Sequence, residues 1–171
     1  MDDAQFWKMI DESRKKSRGI LEDQLDRLEA SVKQLTPDEI VEFDQVYSKY
    51  MSQAYTWDLW GAAYVIGGGC SDDGFEYFRG WLISKGRTEY EKALKDPEAL
   101  VSILHEDDGD GQFEGFGYVA MKAWEEKTEK PADEMPGRTI QQPSEPTGEK
   151  WSEDSEELKE RYPKLSEKFG F

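Results

Sequence analysis

Residues 57–86 read WDLWGAAYVIGGGCSDDGFEYFRGWLISKG, and the fold turns on this stretch. Its first ten residues are apolar nearly all round, with Asp58 the one charge. A helix of that composition is central to a fold or packed on two sides. The β-branched pair Val65-Ile66 keeps a strand as the alternative. Gly67-Gly68-Gly69 ends the element, because such a run suits unusual backbone angles or close approach. Ser71 is a strong N-cap for the next helix, and Asp72 and Asp73 lie in its first turn, where the helix dipole favours anions. Phe75, Phe78 and Leu82 fall on one helical face, broadened by Tyr77 and Trp81, and Gly86 stands where a helix-ending glycine belongs.

Helical spacing continues on both sides. Phe6, Trp7 and Ile10 mark a first helix over Asp3 to about Ser13. Ile20, Leu21, Leu25, Leu28, Val32 and Leu35 form the stripe of a second, opposite a face of Glu22, Asp23, Asp26, Arg27 and Lys33. Thr36-Pro37-Asp38-Glu39 combines an N-cap threonine, a proline at the first helical position and a glutamate three residues after the cap. The helix it opens carries Ile40, Phe43, Val46, Tyr47 and Tyr50 to about Met51. After Gly86 come a short helix with Tyr90, Ala93 and Leu94, another from Asp96-Pro97-Glu98 to about His105, and one over Phe116 to Glu126. The reading is mainly α: a single compact multi-helix domain over residues 1–126, a proline-rich linker or arm at 127–150, and a C-terminal helix at 151–171 packing on or near it. That last helix has Leu158, Tyr162, Leu165 and Phe169 on its apolar side, with Pro163 bending or breaking it.

The chain of 171 residues carries 22 basic and 38 acidic side chains, a formal charge of −16. Such a field repels phosphate backbones, so nucleic acid is not expected as a partner, while basic proteins and cationic small molecules suit it. Only 36% of residues are hydrophobic, but six Trp, eight Tyr and eight Phe supply large buried areas from few positions. The single cysteine, Cys70, leaves no intramolecular disulfide and fits a reducing compartment. The opening MDDAQFWKMIDESR lacks the basic and apolar regions of a signal peptide, and no apolar run approaches a membrane span. A soluble cytoplasmic protein without a cofactor is therefore expected.

Several groupings could carry chemistry. The glycine turn ahead of Ser71 resembles a phosphate cradle in outline, but no lysine follows and Asp72 and Asp73 occupy the anion's place. A cation, an amine or a partner's basic side chain suits it better. Trp57, Asp58, Trp60 and Tyr64, with Asp72 and Glu76, could form an aromatic-walled acidic pocket of the kind that holds cations; the plain alternative is core. Arg79, three residues after Glu76, suggests a local ion pair. Cys70 precedes the N-cap and could pair with the only histidine, His105, though a structural cysteine is the simpler reading. Residues 96–115 hold seven acidic side chains and no basic one. Within them Glu106, Asp108, Asp110 and Gly111 imitate the first half of a calcium loop, but position twelve falls on Gly117 where a glutamate is required, so no metal site is expected.

The segment WDLWGAAYVIGGGCSDDGFEYFRGWLISKGRTEYEKALKDPEAL resembles the core signature of the bacterial proteins grouped as domain of unknown function 4240. The opening FWKMIDESR, the block FEGFGYVAMKAW and the ending WSEDSEELKERYPKLSEKFGF are similar to that family's corresponding parts. The resemblance implies a bacterial cytoplasmic protein of one domain and brings no catalytic residues with it.

The expectation is a non-enzymatic binding or regulatory domain, acting through Trp57, Asp58, Trp60, Cys70, Ser71, Asp72, Asp73, Glu76 and Arg79 or through the acidic loop. The alternatives are an enzyme with a carboxylate-rich cleft and an immunity-type inhibitor of a basic partner. Convergence of Asp58, Asp72, Asp73 and Glu76 on Arg79 would favour the enzyme.

Overall fold

The structure, a computed structural model, describes residues 1–137 and 143–171. The part of the expected arm at 138–142 lies outside the described residues. Helix α1 (Asp3–Ser17) opens on Asp2, whose carboxylate accepts from the Gln5 amide at 2.8 Å while Gln5 returns an acceptor to the Asp2 amide at 3.0 Å. It ends on Arg18 in the left-handed region, φ 55°. Helix α2 (Leu21–Val32) is shorter than its apolar stripe. Ile20 sits at the cap and is 60% exposed, whereas Gln24 is buried and donates to the Ser84 carbonyl at 2.7 Å. A polar side chain thus holds a stripe position because a backbone acceptor is waiting there, which spacing alone does not reveal. Helix α3 (Pro37–Gln53) starts with the capping box read at Thr36 and Glu39.

Trp57–Gly67 is helix α4, not a strand; Thr56 caps it and Gly68 closes it at φ 64°. Helix α5 (Asp72–Ser84) starts at Ser71, whose hydroxyl accepts from the Gly74 amide at 3.1 Å. The remaining elements are α6 (Arg87–Lys95), a 3-10 turn at Pro97–Ala99 running into α7 (Leu100–Ile103), a 3-10 turn at Glu106–Asp108 and another at Phe116–Tyr118. Then come α8 (Val119–Thr128), a 3-10 turn at Ala132–Glu134, α9 (Ser155–Arg161) and α10 (Pro163–Phe169). Pro163 breaks the C-terminal segment into two helices by taking the first position of α10. Among the described residues there is no β-strand, only a bridge joining Thr56 to Thr147, and no helix is long and apolar enough to cross a membrane.

Helix α5 is the axis, touching α1, α3, α4 and α6, with Phe75, Phe78, Trp81 and Leu82 fully buried. Helix α1 packs on α2, and α8 lies across α2 and α3. Phe6, Trp7, Phe43, Tyr50 and Tyr90 form a second aromatic layer with neighbouring ring centroids 4.7–5.7 Å apart. The nearly all-apolar helix α4 is covered by α5 on one side and α10 on another, which answers the composition of its sequence.

The tail is seated by specific contacts. Gly61 lets Tyr162 and Trp151 approach so closely that a Cβ there would come within 2.8 Å of Tyr162 Cε2 and 2.9 Å of Trp151 Cδ1. Tyr162 donates to the Asp58 carbonyl at 2.7 Å and Trp151 Nε1 to the Trp57 carbonyl at 2.8 Å. Glu98 accepts from the first amides of α10, Lys164 and Leu165, at 3.1 and 3.0 Å, and Lys168 donates to the Leu104 carbonyl at 3.1 Å. Each helix end is satisfied by a side chain from the other.

Candidate functional site

The two stretches that drew attention in the sequence meet in space. The acidic loop lays Gln112 against the glycine turn: a Cβ at Gly67 would stand 3.1 Å from Gln112 Nε2, and one at Gly74 3.0 Å from its Cδ. Gly111, at φ 76°, lets the loop backbone reach Phe78 and Trp81, both within about 3 Å of where its Cβ would be. Gly68 and Gly69, at φ 64° and 140° with open space around them, are explained by backbone angle alone.

Two of the loop's carboxylates are spent on the fold. Asp108 is buried, forms an ion pair with Lys85 at 2.6 Å and accepts from the His105 amide at 2.9 Å. Asp110 accepts from the Gln112 amide at 3.0 Å, shaping the turn. Among the described residues no three of His, Cys, Asp and Glu lie close enough together to hold a metal ion.

Trp57, Trp60 and Phe75 stack, with centroids 5.5 and 5.1 Å apart and planes within 9° of parallel. The column is capped edge-on by Trp151 at 6.1 and 6.3 Å, and Tyr64 packs on Trp151 at 5.0 Å. It is a wall covered by the tail. Asp58 is turned outward and paired with Arg161. Cys70 sits over this wall, where Trp60 Nε1 donates to its carbonyl at 3.0 Å. Burial, with Asp110 and Asp72 nearby, pushes its thiol up to about 12. His105 lines a different cleft, beside Lys85 and Arg18.

Arg79 is buried, donating to the Phe75 and Met51 carbonyls at 3.3 and 2.9 Å and lying over the Tyr55 and Phe75 rings. Asp72 and Glu76, one turn apart on α5, both act on its charge. Ser71 and Asp73 belong to the exposed first turn of that helix. Of the four carboxylates considered together, Asp72 and Glu76 contribute to the field at Arg79, while Asp58 is held by Arg161.

An aromatic pocket with a carboxylate does exist, one helix face away from the one anticipated. Glu76 lies at the edge of a cavity of about 280 Å³ walled by Tyr47, Tyr77, Phe113, Phe116 and Tyr118. Glu114 fixes two of the walls by accepting from the hydroxyls of Tyr77 and Tyr118, at 3.3 and 3.2 Å. Burial and the Glu114 carboxylate push the Tyr77 phenol up to about 12, and burial holds that of Tyr47 well above its ordinary range, so both rings stay neutral. Gly80 lets the Tyr47 hydroxyl come close to α5, since a Cβ there would stand 2.7 Å from Tyr47 Oη. Of this set the sequence had singled out Glu76 alone. The signal for Phe113, Phe116 and Tyr118 was FEGFGY, where glycines alternate with aromatic residues.

Fold and pocket define an all-helical domain with an aromatic recess on an acidic chain. The chain belongs to the family described as Protein of unknown function (DUF4240), which matches residues 1–126. The similarity read in the C-terminal ending lies beyond that match. No curated protein and no solved structure matched the chain.

Proposed function

We propose that this chain is a non-enzymatic binding domain that receives a cationic group, an ammonium or guanidinium of a basic partner or small amine, in the recess beside Glu76. The observation that carries the reading is a carboxylate set among five aromatic rings. Ring faces attract cations through their quadrupoles, and the attraction grows as the cation loses water. A volume of about 280 Å³ suits the head group of one side chain better than a larger ligand. The formal charge of −16 adds long-range attraction for a basic partner. The same reading takes residues 1–126 as the functional core, 127–150 as an arm and 151–171 as a closing segment. It takes the chain to be a bacterial cytoplasmic protein; the free cysteine fits a reducing compartment.

Titration with tetramethylammonium and guanidinium, followed by amide chemical shifts, tests it. Shifts should concentrate at residues 76–80 and 113–121, and Glu76→Gln should weaken binding roughly tenfold, the worth of about 1.4 kcal/mol. Equal binding of the neutral isostere of tetramethylammonium, or an unchanged affinity in Glu76→Gln, would overturn the proposal.

A further inference from the structure

The recess beside Glu76 holds a polar group that the fold leaves unused. Tyr47, on α3, is 8% exposed, and its hydroxyl forms no hydrogen bond among the described residues. The ring enters from α3, and its Oη ends between α5 and the Phe116–Tyr118 turn. A Cβ built on Gly80 would stand 2.7 Å from that oxygen, and one on Gly117 3.8 Å. Both glycines line the recess together with Tyr47.

The other phenols of the recess are engaged. Tyr77 and Tyr118 both donate to Glu114, at 3.3 and 3.2 Å, and are thereby held as walls. Elsewhere in the molecule Trp7 Nε1, Trp81 Nε1 and Ser166 Oγ are buried without a partner, and each is sealed from solvent. The Tyr47 hydroxyl is not sealed in this way, so water entering the recess satisfies it in the free protein.

A ligand that fills the recess displaces that water. A quaternary ammonium is apolar all round and would bury the hydroxyl with nothing to bond, and a buried polar group left unsatisfied costs free energy. A head group with several N–H donors bonds the phenol oxygen on the floor and the Glu76 carboxylate at the edge together. Ring faces attract both kinds of cation, so they do not choose between them. Resting on the reading of the recess as a cation site, we infer that Tyr47 is its specificity-determining residue. The ligand is then an N–H-bearing cation, a primary ammonium or a guanidinium of the kind carried by lysine and arginine side chains, and not a quaternary ammonium.

The full chain should be titrated with butylammonium and with butyltrimethylammonium, which share one alkyl chain and one charge, reading amide shifts at residues 76–80 and 113–121. The wild-type chain should bind butylammonium about tenfold more tightly, and in Tyr47→Phe the preference should fall below about threefold. Glu76→Gln should weaken both cations, whereas Tyr47→Phe should weaken butylammonium alone. The melting temperature of Tyr47→Phe should be unchanged or higher, because the deleted hydroxyl bonds nothing in the folded chain. A lower melting temperature would give that hydroxyl a structural partner and overturn the inference. A preference that survives in Tyr47→Phe would overturn it too. Saturable but equal binding of the two cations to the wild-type chain would sink the role of Tyr47 and leave the cation site standing. No movement of those residues with either probe would sink both.

Discussion

At pH 8 the Cys70 thiol is almost wholly protonated, because burial and the neighbouring Asp110 and Asp72 carboxylates push it up to about 12. A free cysteine titrates near 8.5, so its thiolate fraction at this pH is greater by a factor of about a thousand or more. Alkylation by iodoacetamide should therefore be slower by roughly that factor than for a cysteine peptide, and should accelerate with pH toward 12. The folded state holds this proton more tightly than the unfolded one. The resulting stabilisation is complete below the free value and is lost as pH rises through the folded value. A rate matching the peptide would show that Cys70 is exposed and its thiol unperturbed. Asp72, two residues on, is adjacent in sequence; Asp110, brought in by the loop, is not. The half-burial beneath Trp60 was not legible in sequence, since it depends on where α4 lies relative to α5.

Single elements were legible where their signals are local. Thr36 with Glu39 and Ser71 ahead of two aspartates are complete chemical statements within a few residues, and both caps form as read. Long-range packing decided the rest. Ile20 joins an apolar stripe on paper but lies at the cap of α2, and Gln24 takes the inward place because the Ser84 carbonyl needs a donor. Gly61 inside an apolar helix looks like a weakness by propensity, costing about 1 kcal/mol against alanine. Contact reverses that expectation. Gly61→Ala should destabilise the protein by about 1–3 kcal/mol through overpacking against Tyr162 and Trp151. Chemical denaturation measures it, and a gain in stability would mean that the tail does not sit on α4 as described.

At the scale of the whole molecule, the tail is joined to the helical core by specific contacts. Glu98, Lys168, Tyr162 and Trp151 join residues far apart in sequence, and the Thr56–Thr147 bridge pins the end of the arm. Urea unfolding followed by far-UV circular dichroism and by tryptophan fluorescence should give coincident single transitions. Separate midpoints would mark 143–171 as an independent unit. The general character of the site, aromatic and acidic, was readable from composition. Its location was not: Trp57 and Trp60 lie in α4 under the tail, while Tyr47 and Tyr118, far apart in sequence, reach Glu76 through the packing of α3 and the Phe116–Tyr118 turn on α5.

The seating of the tail on α4 has a consequence for synthesis on the ribosome. Helix α4 is complete by Gly67, but its partner Trp151 is added 84 residues later, from 151 minus 67. At bacterial-to-eukaryotic elongation rates that interval is about 4 to 17 s. For that time the flank of Trp57, Gly61 and Tyr64 has no intramolecular cover from α10, and a nascent chain halted short of the tail displays it to chaperones and proteases. Arrival of residues 151–169 then covers that flank.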